Sequence, residues 1–222
     1  MPEVALRAEP ALTPEAPGGE DGAGGEGTEA AESTRRRLTP RQAEVVRRLV
    51  EAAAAEARDQ GYEKLTVRGV ARRAGVAPAT AYTYFASKDH LLAEVLWRRL
   101  DALAPAAVPG DAPTAERVTA ELRVLGLFVA DDPVLAAACT TALLGRGPDV
   151  RALRQRFGTA LHDRLRAALG ADADDEVLRS LDLAYSGAML WAGMGHIHFE
   201  DVPETLAATA RLLLGAGPGG RA

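Results

Sequence analysis

The chemistry most legible in this sequence lies between Thr66 and Lys88. Within a few residues the chain presents Pro78, Ala79, Thr80, Tyr82, Thr83 and Tyr84, with Lys88 just beyond them. Hydroxyls can donate to phosphate oxygens or base edges, small apolar groups can touch thymine methyls, and an ammonium pairs with phosphate. Tyr82, Tyr84 and Phe85 could also form a small core cluster. For Phe85 the core reading is the better one; for Thr80 and Tyr84 the surrounding basic charge favours DNA. Arg72 and Arg73 read as a solvated face that strengthens the local potential.

Other chemistries find little support. There is no phosphate loop, no nucleophile elbow, no metal-ligand set and no pair of carboxylates placed for acid and base work, so an enzyme is not expected. His196 and His198 are two imidazoles without a third ligand or a supporting carboxylate pattern, which reads as polar residues at a helix end. No metal and no cofactor are expected. Cys139, the single cysteine, lies in an Ala-rich stretch without a basic neighbour and reads as a buried, inert thiol. One cysteine cannot form an intramolecular disulfide, which suits a reducing cytoplasm.

The reactive stretch must be positioned by helices. Apolar residues make up 47% of the 222 positions and aromatics only 5%, a balance that favours close-packed helices, so the expected class is all-α. A first helix is expected from about 41 to 60, with Val45, Val46, Leu49, Val50, Ala53 and Ala57 on one stripe, Thr39-Pro40 at its start and Gly61 at its end. A short second helix follows from 67 to 74, capped by Thr66 and ended by Gly75, with Val70, Ala71 and Ala74 facing inward. The third starts at Pro78, where a missing amide costs nothing, and reaches Tyr84. Ser87 caps the next helix, and Asp89 suits its positive end. Two short helices joined by a tight Gly turn and preceded by a packing helix outline a helix-turn-helix.

Charge follows the same division. Residues 1–34 hold one Arg against eight acids, residues 35–100 hold fourteen Lys and Arg against seven, and the rest holds eleven against sixteen. The net charge of −5 therefore hides a basic segment where phosphate binding would require one. Residues 1–34 form a Gly-, Pro- and acid-rich tail expected to be disordered, because it cannot bury enough apolar surface to offset ordering entropy. Residues 35–87 are expected to form a DNA-binding domain, 88–216 a second, helical domain, and 217–222 a second disordered tail. No signal peptide or membrane span is expected, and a cytoplasmic location is expected.

The run from Thr66 to Leu92 resembles the signature of the TetR (tetracycline repressor-like) family. The Ala74-Gly75-Val76 turn, the Thr80-x-Tyr82-x-Tyr84-Phe85 stretch and Ser87-Lys88-Asp89-x-Leu91 carry the likeness, over roughly residues 40–100. The resemblance implies a repressor that binds a palindromic operator as a homodimer and lets go when a small molecule enters its C-terminal domain. It also implies phosphate contacts at Thr66, Thr80, Tyr84 and Lys88, and base contacts at Arg68, Pro78, Ala79, Tyr82 and Thr83. Three positions depart from the pattern: Ala77 stands where many members have a capping Ser, Ala79 where many have Gly, and Ala81 where many have a larger apolar residue.

Beyond the first domain, helices are expected over about 88–104, 114–130, 133–144, 149–169, 174–197 and 203–214. Candidate pocket residues are Trp97, Leu100, Phe128, Leu135, Cys139, Leu143, Phe157, Tyr185, Met189 and Trp191, although each taken alone reads better as ordinary core. Few charges fall between Leu183 and Ile197, so an apolar effector is expected. Leu183 to Met194 is apolar nearly all round and must be covered on more than one side. Small residues Gly187, Ala188, Ala192 and Gly193, with Leu206, Ala210 and Leu213 on the last helix, are the candidate dimer interface, since the resemblance implies a four-helix bundle built from the last two helices of each subunit. The alternative to a ligand-released repressor is a DNA-binding activator or a constitutive regulator without an effector.

Overall fold

The computed structural model describes residues 38–171 and 173–215; the two expected tails, 1–34 and 217–222, lie outside them. Among the described residues the regular elements are helices: α1 (Pro40–Lys64), α2 (Val67–Arg73), α3 (Pro78–Tyr84), α4 (Lys88–Asp101), α5 (Thr114–Ala130), α6 (Pro133–Leu143), α7 (Pro148–Leu169), α8 (Asp175–Gly193) and α9 (Val202–Leu213), with a 3₁₀ turn at Phe199–Asp201 before the last. The protein is all-α.

Helix α1 begins where Thr39 forms a reciprocal capping box with Gln42: the Gln42 amide donates to Thr39 Oγ1 and the Thr39 amide to Gln42 Oε1. It does not stop at Gly61. The backbone kinks there, at φ 74° and ψ 174°, and a further helical turn runs to Lys64. Glycine serves as a hinge rather than a terminus because its positive φ redirects the chain without a Cβ penalty. Helix α8 is shorter than its hydrophobic pattern suggests, ending at Gly193 with Gly195 at φ 80°. The two histidines then fall in the connection rather than on the helix.

The core is continuous. Val46, Leu49, Ala53 and Ala57 of α1 meet Val70 and Ala71 of α2, and α4 buries Leu91, Leu92, Val95 and Leu96 in the same cluster. Each such leucine or valine contributes about 1.5–3 kcal/mol relative to exposure. Helices α1 and α4 together make the link, since α4 packs on α1 behind it and on α6 and α7 ahead of it, and α1 packs directly on α6.

Two half-buried arginines tie helix ends together beyond the first four helices. Arg164 bonds Glu121 and the carbonyls of Leu103 and Ala104, while Arg117 caps the carbonyls of Ala168 and Leu169. Helices α5 and α9 approach unusually closely, because a Cβ on Gly126 would stand 2.6 Å from the Pro203 Cα. Only glycine fits there without moving backbone.

Candidate nucleic-acid interface

Helix α2 is started by Thr66, whose Oγ1 accepts the Gly69 amide at 3.0 Å. It ends at Gly75, with φ 63°, and the Val76 amide closes the turn onto the Ala71 carbonyl at 2.9 Å. Arg48 of α1 braces this turn through Nη1, which donates to the Ala74 carbonyl at 3.3 Å. Val76, Ala81 and Phe85 are buried and press the inner side of α3 onto the core. Ala81 has no solvent exposure, so the small residue at this departure from the family pattern lets α3 lie close to its support.

What remains outside is the surface anticipated for DNA. Pro78, Ala79, Thr80, Tyr82 and Thr83 are exposed, together with Thr66 and Arg68 of α2. Tyr82 is 54% exposed, an orientation that a core aromatic would not adopt. Thr83 donates its hydroxyl to the Ala79 carbonyl at 3.1 Å, leaving its methyl and an oxygen lone pair outward. Tyr84 is half-buried against the core. The N-terminus of α3 has no side-chain cap, because Ala77 offers no acceptor.

Two basic residues have partners within the chain. Lys88 Nζ donates to the Tyr62 carbonyl at 2.9 Å and lies 3.9 Å from the centre of the Tyr62 ring, so it caps the end of α1 as well as standing at the edge of the exposed face. The Tyr62 hydroxyl in turn donates to Asp89 at 2.7 Å. Burial and that carboxylate push the phenol up to about 12, so it stays protonated and remains a donor. Arg73 is held by Glu56 and Asp59, which raise its proton affinity, whereas Arg72 is solvent-facing.

Sequence reasoning missed the polar connections from this domain to the rest. Asp132 caps α6 and also accepts from Arg58 of α1 at 2.7 Å and from Arg99 of α4 at 3.1 Å. Burial opposes its ionisation, but Arg58 holds the carboxyl below its usual range. The partners are 74 and 33 residues away in sequence, so no local pattern announces them.

The candidate pocket residues are dispersed. Leu100, Phe128, Leu135, Cys139, Tyr185 and Met189 are buried in the common core, Trp97, Leu143 and Phe157 are half-buried, and Trp191 is 56% exposed. Cys139 donates to the Leu92 carbonyl at 3.4 Å, and burial pushes its thiol up to about 12. A cleft of about 350 Å³ opens instead between α7 and α8, lined by Gly158, Thr159, Leu161, His162, Asp182 and Ser186. His162 Nδ1 stands 2.8 Å from one Asp182 oxygen, and the other oxygen is buried without a partner.

The small residues proposed for dimer contact divide between two sides. Ala188 and Ala192 are buried within the chain, and a Cβ on Gly193 would stand 3.2 Å from Thr140, whereas a Cβ on Gly187 would meet open space. Leu206 and Ala210 belong to the chain's own core and Leu213 is exposed. The outer side of α8 instead carries large apolar residues, Leu183 (67% exposed), Leu190 and Trp191, with Met194 just past its end and Leu212 of α9 at 75%. No helix among the described residues is long and apolar enough to cross a membrane.

Comparison with known proteins agrees with this geometry. The family described as "Bacterial regulatory proteins, tetR family" matches residues 49–95, which span most of α1, all of α2 and α3, and the start of α4. The chain is 44% identical over 176 residues to an HTH-type transcriptional regulator of Mycobacterium tuberculosis strain H37Rv, covering 78% of this chain and 82% of that protein. It is 33% identical to the HTH-type transcriptional repressor KstR of Rhodococcus jostii, over 79% and 85% of the two chains. The crystal structure of a TetR transcriptional regulator from Rhodococcus sp. RHA1 shares the fold with a TM-score of 0.64 at 23% identity, covering 79% of this chain and 98% of that one. A helix-turn-helix whose outer face is free, carried on a helical body of this length, and a relative 44% identical over most of both chains make this protein a transcriptional regulator of the TetR family.

Proposed function

We propose that the protein is a repressor that binds a palindromic operator as a homodimer and is released by a small, apolar effector held in its C-terminal domain. The observation that carries the DNA half is the exposed hydroxyl-bearing face of α3 above a fully buried Ala81 and Phe85. On that face Tyr82, Thr83, Pro78 and Ala79 are within reach of base edges, with Arg68 beside them, while Thr66, Thr80, Tyr84 and Lys88 hold phosphates. Lys88 can serve a phosphate with the hydrogens not engaged by α1, since an ammonium has three donors.

Repression is supported by the likeness to KstR, a transcriptional repressor by its own name. Dimerisation is supported by the apolar outer side of α8 and the end of α9, because Leu183, Leu190, Trp191, Met194 and Leu212 together leave a surface that a second copy would cover. A symmetric pair would set two α3 helices one DNA turn apart, or a multiple of it. Gly187 and Leu213 fall at this surface, whereas Ala188, Ala192, Leu206 and Ala210 support it from behind. The effector reading is supported by the family likeness and by the lack of charged residues from Leu183 to Ile197.

Selection of bound duplexes from random DNA, followed by a screen of acyl-chain and other apolar molecules for release, tests the whole reading. A two-fold symmetric motif and at least one releasing compound are expected. Enrichment without a motif would overturn the DNA half; a motif from which no apolar compound releases the protein would favour a constitutive regulator.

A further inference from the structure

The recognition helix ends against a buried histidine. The Phe85 amide closes α3 onto the Ala81 carbonyl, and its ring meets that of His90 edge-on, with centroids 5.2 Å apart. His90 sits in the first turn of α4, buried, with its own amide donating to Ser87 Oγ at 3.0 Å. Its Nδ1 accepts the Ala86 amide at 3.4 Å and stands 3.6 Å from Asp149 Oδ2 at the start of α7. One ring nitrogen cannot serve both: it accepts from an amide only when it carries no proton, and it donates to a carboxylate only when it does.

The surroundings make that choice consequential. Asp149 approaches from α7, and Glu94 lies one turn along α4, with one oxygen on Arg98 and the other buried without a partner. Asp89, the residue before His90, is engaged by the Tyr62 hydroxyl of α1. The Cys139 thiol of α6 is committed to the Leu92 carbonyl of α4. Ala86 lies in the short connection between α3 and α4, so the nitrogen that holds its amide also helps set where the recognition helix ends relative to the regulatory domain.

We infer that His90 is a positioning residue for DNA binding, holding the end of the recognition helix through the Ala86 amide when neutral and turning to Asp149 when protonated. The inference rests on the DNA-binding reading above. Burial lowers the proton affinity of His90 below the ordinary imidazole value of 6.5, with Asp149 and Glu94 pulling the other way. A lowered histidine supports the fold fully above that ordinary value, and its contribution is lost as pH falls through it and below. Protonation exchanges the Ala86 amide for Asp149, so operator affinity weakens once the pH is low enough to charge His90.

The test measures affinity of the full-length protein for its selected palindrome at about pH 7.5 and about pH 5.5, alongside thermal melts, for wild type, His90→Gln and Asp149→Asn. Wild type loses affinity progressively as the pH falls below the ordinary imidazole value, by up to about tenfold for each unit of differential proton affinity. His90→Gln keeps its neutral-pH affinity, because an amide oxygen can still accept from Ala86, and loses less than about twofold in acid. Asp149→Asn moves the onset of weakening to lower pH. Parallel profiles for wild type and His90→Gln would overturn the inference, since His162, His196 and His198 remain in both. Should His90→Gln melt early, an unmoved onset in Asp149→Asn would overturn it alone. Absence of palindrome binding at either pH would instead sink the DNA-binding reading.

Discussion

The outer face of α3 and the outer face of α8 are both exposed, yet their chemistry suits opposite kinds of partner. On α3 the exposed groups are short, hydroxylated or aromatic with a polar tip, and arginines stand nearby. On α8 and just past its end, joined by the end of α9, they are leucine, tryptophan and methionine. Water solvates the first at little cost and has to be excluded from the second for it to contribute stability. The lesson is that exposure marks a surface for a partner only when read with its chemistry: hydroxyls beside basic charge suit phosphate and base edges, and a continuous apolar side suits another apolar side.

Breaking the apolar face gives the largest expected effect. The double substitution Leu183→Glu with Trp191→Glu should turn a dimer into a monomer in analytical ultracentrifugation and weaken operator binding by about 100-fold or more, since buried charge and lost anchors each cost several kcal/mol at an interface centre. The melting profile of the isolated chain should change little. A dimer that survives both charges would place the interface elsewhere.

On the other face, Tyr82→Ala is expected to weaken binding to the selected palindrome by about 1–3 kcal/mol and relax sequence preference, while leaving stability near wild type because the side chain is half in solvent. Fluorescence anisotropy against matched and mismatched duplexes reads both. A loss equal on all sequences would make Tyr82 a phosphate contact.

Gly126→Ala sharpens the comparison from inside. The methyl group would collide with Pro203 backbone, forcing α9 outward at a cost of about 1–3 kcal/mol. Thermal melting should fall and dimerisation weaken, whereas α3, which packs on α2, should keep its intrinsic base preference. The smallest effect is expected at Ala77→Ser, which supplies the missing cap on α3 and should add about 0.5–1 kcal/mol to stability, read as a raised denaturation midpoint.

Much of the first domain was legible because its signals are local. Thr66, Gly75, Pro78 and Ser87 each decide a helix boundary within three or four residues, and α2 and α3 lie where those signals put them. Gly61 misled, because a glycine after a helical stripe reads the same whether it stops the helix or only kinks it. The second domain was legible as helices but not as faces. The period of α8 is masked when both sides are apolar, so the sequence could not tell Ala188 and Ala192, which fit tightly inside, from Leu183 and Trp191, which point out. The His90, Asp149 and Glu94 cluster and the Arg58, Asp132 and Arg99 bridge depend on long-range packing. Lys88 shows the same limit at one residue, since its place in the sequence suggests a phosphate partner and its surroundings add the Tyr62 carbonyl.

The central claim, that two α3 faces on one homodimer read a palindrome, is tested most directly by comparing equilibrium affinities for the selected palindrome, its single half-site and a scrambled duplex of equal length at one fixed salt concentration, with stoichiometry determined by native mass spectrometry. The account predicts two chains on the palindrome, a preference over scrambled DNA of about 10³-fold or more, and a marked loss on the half-site. Equal affinity for the three duplexes, or one chain bound to the palindrome, would contradict it.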